Sequence, residues 1–224
     1  MSFSSTILTP LAVLFSLGAL VLVLWFVIAR PVQVLPRMQP VAPFTLVDQT
    51  MRWVDDTNLR GHITLVSFSY ATCGAQCAET ERGLHELSKL LSANTSLKDM
   101  VQVLMISLDP TNDTPTIMRD YAERLGVDPE HWHLLTGSAS EVKDLVGGSF
   151  GIYYTQKPDG RVAFESQLLL VDDTGLIRAR YLTAAPDPTL IQRDLNLLIR
   201  ESVESRGSQR VIYEAAHLFV CYPQ

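Results

Sequence analysis

The feature that most constrains this chain is the run Ile63-Thr-Leu-Val-Ser-Phe-Ser-Tyr, which stops just short of Cys73 and Cys77. Its uncharged, β-branched and aromatic residues are those of a central strand covered on both faces. Leu84, Leu87 and Leu91 then recur at helical spacing, so the strand hands over to a helix spanning Gln76 to Leu91. A cysteine pair at i and i+4 on that handover points both sulfurs to one side of the first helical turn. The positive end of the helix favours thiolate over thiol, and thiolate is the form that attacks disulfides and binds soft ions such as Cu(I). Two inert buried cysteines would suit the small or polar neighbours Thr72, Gly74, Ala75 and Gln76 less well. Three cysteines in all cannot build a disulfide framework and leave at least one thiol over.

The pattern continues on both sides of the dithiol. Phe44 to Gln49 and Arg52-Trp-Val read as an N-terminal hairpin. Val101 to Leu108 is a second central strand, and Asp109-Pro-Thr-Asn-Asp-Thr-Pro is a loop leading into a helix from Thr116 to Leu125. A short strand at His133-Leu-Leu, a helix from Ser140 to Phe150, strands at Arg161 to Phe164, Gln167 to Asp172 and Leu176 to Tyr181, and a helix from Asp187 to Ser205 complete the series. Strands alternating with helices indicate an α/β fold, a central mixed sheet flanked by helices. Asp109 and Asp113 sit at the carboxyl end of the second strand, where α/β sheets place functional groups, although turn and capping chemistry explains them as well.

The N-terminus is different in kind. From Ile7 to Ala29 no residue is charged, which is enough for a transmembrane helix of about 20 apolar residues. A cleaved signal peptide would be shorter in its apolar part and would follow basic residues, and residues 1–6 contain none. Pro10 falls in the first helical turn, and Trp25 and Phe26 suit the far interface. We expect a single-pass anchor at 1–30, a Pro-rich linker at 31–43 carrying Pro31, Pro36, Pro40 and Pro43, a folded domain at 44–205 and a tail at 206–224. Arg30 and Arg37 after the helix lean towards the cytoplasmic side by the positive-inside rule. The net charge of -6 and pI near 5.3 speak against a nucleic-acid partner.

Four segments, in order, resemble the Sco/SenC family: Leu59 to Cys77 with its C-x3-C motif, Ser107-Leu-Asp-Pro-Thr-Asn-Asp-Thr-Pro, Leu135-Thr-Gly-Ser-Ala-Ser-Glu-Val, and Phe150-Gly-Ile-Tyr-Tyr. The resemblance implies a thioredoxin-like fold on a membrane anchor in the inner or plasma membrane, with the domain on the extracytoplasmic, periplasmic side. It further implies work on the copper centre of cytochrome c oxidase, by thiol-disulfide reduction, Cu(I) transfer or both. The partner is then the oxidase's copper-bearing subunit or another thiol protein. Copper, as Cu(I) or Cu(II), would be held by Cys73, Cys77 and one histidine, and the same two cysteines would carry the redox chemistry.

That histidine should fall near Phe164, and Glu165, Ser166 and Gln167 do not supply it. Ala78 also stands where the family has a proline. His85 is two turns beyond Cys77, His62, His131 and His133 flank strands, and His217 with Cys221 forms a second i, i+4 pair in the tail that could reach the dithiol only by folding back. Two alternatives stay open: a general thiol-disulfide oxidoreductase without metal, and a non-catalytic subunit of a membrane complex that retains the fold as a binding surface.

Overall fold

The computed structural model describes residues 5–29, 32–183, 185–207 and 209–219. Its elements run α1 (Ser5–Ala29), β1 (Thr45–Val47), β2 (Trp53–Asp55), β3 (Ile63–Ser69), α2 (Ala78–Ser92), α3 (Thr95–Lys98), β4 (Val101–Ser107) and α4 (Pro115–Leu125). They continue with β5 (Trp132–Leu135), α5 (Ala139–Lys143), β6 (Tyr154–Gln156), β7 (Val162–Phe164), β8 (Leu168–Val171), β9 (Ile177–Tyr181), α6 (Pro188–Glu204) and α7 (Arg210–Phe219).

The main sheet is mixed, in the order β5-β4-β3-β8-β9. β3, β4 and β5 are parallel, whereas β8 and β9 are antiparallel to their neighbours. Because side chains alternate across a strand, each central strand feeds two cores. Leu65, Val103, Met105 and Leu170 face the first, with Leu84, Leu87 and Leu91 of α2, Met118 and Tyr121 of α4, and Ile191, Leu195 and Leu198 of α6. Val66, Phe68, Leu104, Ile106 and Leu169 face the second, beneath Leu46 and Val54 of the N-terminal hairpin and Val142 of α5. The two faces are therefore covered unequally, three long helices on one and a hairpin with short helices on the other.

The helix expected over 140–150 is shorter than that. A capping box of Ser138 and Glu141 starts α5, and at Asp144 the chain widens into a π-turn through Ser149. Gly147 and Gly148 lower the helix propensity there, and the extra residue in the turn lets Leu145 and Val146 both reach the core. The helix after the second strand begins as expected from its loop, with Thr114 accepting from the Ile117 N–H and Pro115 in the first turn.

The Pro-rich stretch is extended, as its prolines require, and it packs onto the domain. Val34 and Leu35 are fully buried. The Met38 and Val41 amides donate to the carbonyls of Ile177 and Gly175, each at 2.9 Å. Underneath lies Arg178, 2 % exposed at its side chain, whose guanidinium bonds Asp172 and Glu201, both at 2.8 Å, and the Leu35 carbonyl at 2.7 Å. α7 closes over this strap: Tyr213 and Ala216 bury against Val34, Arg37 pairs with Glu214, and His217 bonds Glu201 at 2.8 Å. Burial alone would raise the Glu201 carboxyl, but the bonds to His217 and Arg178 outweigh it and hold it at about 2.

α1 is a continuous helix of 25 residues whose described large side chains, among them Leu14, Phe15, Leu17, Leu20, Leu24 and Trp25, are exposed. The Ser16 hydroxyl is satisfied internally by the Ala12 carbonyl at 2.8 Å. Taken over the described residues alone, no helix is long and apolar enough to cross a membrane. The side chains of residues 5–11, 22, 26, 27 and 29 in α1, with all of Arg30 and Pro31, lie outside the described residues.

Candidate functional site

β3 delivers the dithiol. The chain leaves the sheet after Ser69, and Cys73, Gly74 and a single 3-10 turn through Cys77 precede α2. Gly74 has φ +58, a left-handed conformation that a side chain would resist, so glycine suits the bend between the cysteines. Cys73 and Cys77 are joined by a disulfide, with their Cα atoms 5.5 Å apart. Cys73 is 7 % exposed and Cys77 is not exposed at all. Both belong to the second core, with Tyr70, Phe68 and Phe150.

The helix end is less positive than its position implied. α2 carries Glu79 and Glu81 in its first turn, and the Glu79 carboxylate accepts from the Thr183 hydroxyl at 3.2 Å. Negative charge there offsets the helix-end stabilisation of a thiolate at Cys77.

The peptide two residues before Cys73 is held from both sides. The Asp113 carboxylate accepts the Ala71 N–H at 3.1 Å, and Arg124 Nη2 donates to the Ala71 carbonyl at 3.1 Å. Asp113 is fully buried and also accepts the Ser107 hydroxyl. Burial pushes its carboxyl up from the ordinary value, against the hydrogen bonds from Ser107 and Ala71. Parallel pairing of β3 with β4 aligns Ser69 with Ser107, which is how a loop 42 residues away reaches the dithiol segment. Asp109, by contrast, stays within its own turn and accepts from Asn112 Nδ2 at 2.8 Å. From the sequence both aspartates read as turn and capping residues; Asp113 has the further task of holding the cysteine loop, a task no local pattern announces.

On the far side of the pair, the Val162 amide donates to the Tyr70 hydroxyl at 3.2 Å and ties β7 to the cysteine loop. β7 ends at Phe164, the place where a third ligand is expected, and its ring packs against the apolar cluster that contains both cysteines. The other histidines lie elsewhere. His62, His131 and His133 line a cavity of about 270 Å³ at the amino ends of β3, β4 and β5, opposite the dithiol. His85 projects into solvent from α2. His217 is bonded to Glu201 beneath α7, so the tail histidine does not fold back to the cysteines, and Cys221 lies outside the described residues. Among the described residues, Asp128, Glu130 and His131 form the one group of three or more ligand atoms gathered closely enough for a metal ion, and Lys98 already bonds the Asp128 carboxylate at 3.0 Å.

The SCO1/SenC family model matches residues 34–199. A SCO1 protein homolog of Bacillus subtilis is 29 % identical over 149 residues, 65 % of this chain and 75 % of that protein. A SCO2-like protein of Rickettsia felis is 30 % identical over 118 residues, 53 % of this chain and 56 % of its own. Among solved structures, Bradyrhizobium japonicum ScoI with copper bound superposes with a TM-score of 0.60 at 29 % identity, covering 71 % of this chain and 99 % of that one. BsSco, described as a member of the Sco family of cytochrome c oxidase assembly proteins with a disulfide switch, gives 0.62 at 26 % identity, with 73 % and 97 % covered. The thioredoxin-like fold and its mixed sheet are thus shared with solved relatives, and the chain belongs to the SCO1/SenC family.

Proposed function

We propose that this chain is a membrane-anchored dithiol protein that helps build the copper centre of cytochrome c oxidase. In this reading it reduces the disulfide of the cysteines that will hold the copper and, once its own disulfide has been reduced by an external dithiol, carries Cu(I) between Cys73 and Cys77. One observation carries the reading: two cysteines close enough to bond, just beyond the carboxyl end of the central strand, the first of them slightly exposed and the second not at all. Relatives described as copper-bound and as oxidase assembly proteins support the partner and the cargo.

The small difference in exposure supports a division of roles. Cys73 Sγ, as thiolate, attacks one sulfur of the partner's disulfide, and the other partner sulfur leaves as thiolate. Cys77, buried behind it, passes its proton to the departed partner thiolate, attacks Cys73 Sγ and expels the partner sulfur still bound there. The products are the Cys73–Cys77 disulfide and a partner dithiol, so two electrons pass to the partner and the proton count balances. Asp113 and Arg124 hold the Ala71 peptide and so fix where Cys73 Sγ points.

For the cargo, two thiolates are a soft pair that suits Cu(I) in linear coordination. With Phe164 at the place of the family's histidine, the described residues offer no nitrogen ligand beside the sulfurs, which favours Cu(I) over Cu(II). The anchor is α1, supported by its 25 residues, its exposed apolar side chains and the absence of charge between Ile7 and Ala29. The extracytoplasmic face is the side the family resemblance implies for the domain, against the slight lean of Arg30 and Arg37.

The test uses full-length protein in detergent, reduced and then mixed with an oxidised peptide bearing the partner's cysteine pair. Cys77→Ser should accumulate a mixed disulfide through Cys73, whereas Cys73→Ser should trap none. Equal trapping by both variants would contradict the assigned roles, and no trapping by either would remove the reductase reading.

A further inference from the structure

Helix α7 lies beyond residue 199, where the match to the family ends, and its apolar residues cover a wider arc than the side it buries. One side is used: Tyr213 and Ala216 bury against Val34, with Val32 packed beside them. The other side presents Val211 and Leu218, 77 % and 78 % exposed, with Ala215 between them and Ile212 at the edge. Positions 211, 215 and 218 follow the i, i+4, i+7 rule and form one stripe along the helix. A ten-residue surface helix needs only its core-facing side to be apolar, so the second stripe calls for a second neighbour.

The covalent chain says where that neighbour is. Val32, against which α7 packs, follows Ala29, the last residue of α1, by three positions. Three residues reach at most about 11 Å at the extended limit. The polar layer of each leaflet is itself on the order of 5 to 7.5 Å thick. With α1 in the bilayer, α7 therefore sits at the headgroup layer whichever way the domain faces. Exposed Arg210 stands at the start of α7 in a chain of net charge -6, a local placement that suits lipid phosphates, whereas Arg206 just before it bonds the Asp173 carboxylate at 2.6 Å.

We propose that the Val211–Ala215–Leu218 stripe of α7 rests on the lipid surface, so that α7 and the strap beneath it hold the domain, and with it the dithiol, at a fixed height and attitude above the membrane. The inference rests on reading α1 as the anchor. Contacts of α7 with the strap and with α6 make the coupling rigid: Arg37 with Glu214, His217 with Glu201, and the Tyr213 hydroxyl with Glu204 at 2.6 Å. A helix lying in the interface buries its apolar side several ångströms below the headgroups, which is the depth a short aliphatic stripe can exploit.

The experiment places full-length protein in nanodiscs made from lipids brominated near the glycerol end of the acyl chains, with unbrominated lipids as reference. Bromine quenches tryptophan on contact, and two reporters are read separately. Trp25 in α1, taken as the difference from Trp25→Phe, reports the anchor. An added tryptophan, Leu218→Trp or Val211→Trp at these exposed positions, reports α7. Most of the added emission should be lost in brominated lipid, while emission from exposed Trp53 at the far hairpin stays unchanged. Quenching of Trp25 without quenching of either added tryptophan would overturn the inference and leave the anchor standing. Loss of neither signal would bring down the anchor reading and the inference together. An unquenched residue 218 that cross-links to residue 218 of a second copy would assign the stripe to self-association and also overturn it.

Discussion

Replacing Arg178 with methionine tests whether the strap and the tail are part of the folded unit. Methionine matches much of the arginine's volume and removes only the charge and its donors. Asp172 keeps the Thr174 and Leu176 amides on its other oxygen, and Glu201 keeps His217, so neither carboxylate is wholly stranded. What is lost is a buried cation with two charged partners, together with the donors to the Leu35 and Pro36 carbonyls. Breaking a buried pair costs about 3 to 5 kcal/mol, and the surviving partners place this case near the lower end. For a domain of this size about 3 kcal/mol corresponds to a fall in Tm of roughly 6 to 12 °C. The acid branch of stability should change with it. Glu201 is held at about 2 against an ordinary 4.5, so its stabilisation is complete above 4.5 and disappears as pH falls towards 2. That difference is about 3 kcal/mol by the linkage relation. Arg178→Met should flatten this loss, and proteolysis should then cut first between residues 32 and 41. A Tm within about 2 °C of wild type, the range of an ordinary surface change, would refute the buried-network reasoning.

Asp113→Ala should destabilise by about 1 to 3 kcal/mol, because the Ala71 N–H and the Ser107 hydroxyl lose their acceptor, and it should also slow trapping by Cys77→Ser. Since burial raises the Asp113 carboxyl, its protonated form suits the folded state, and stability lost above the unfolded value should be regained in Asp113→Asn; urea denaturation at pH 7 showing Asn as damaging as Ala would contradict this. Phe164→His supplies a nitrogen beside the sulfurs, so the reduced protein should gain a thiolate-to-Cu(II) absorption band that wild type lacks; an unchanged spectrum would mean that position 164 does not face the pair.

Much of the fold could be read directly from residue pattern. The alternation of Ile63 and Leu65 with Val66 and Phe68 predicts a strand buried on both sides, and those residues divide between the two cores as the period requires. The hairpin partner β6, Tyr154-Thr-Gln, went unread because it is short and exposed and has no buried alternation. The packing of the strap was hidden for a different reason. Pro31 to Pro43 looks like a spacer by composition, and what holds it is Arg178, a polar residue some 143 positions away whose burial depends wholly on its partners. At the site, the cysteine spacing was visible and the role of Asp113 was not, since it depends on the register of two parallel strands. The expected histidine is absent from residues 164–167, and the structure shows a phenylalanine ring packed at the start of that stretch.

The most direct test of the central claim is Cu(I) binding by the reduced full-length protein under anaerobic competition with a chelator, in parallel with Cys73→Ser and Cys77→Ser. The account predicts one Cu(I) per chain, lost in both variants, and little retention of Cu(II). Binding that survives either cysteine substitution, or no competitive binding by the wild type, would contradict a two-thiolate Cu(I) carrier.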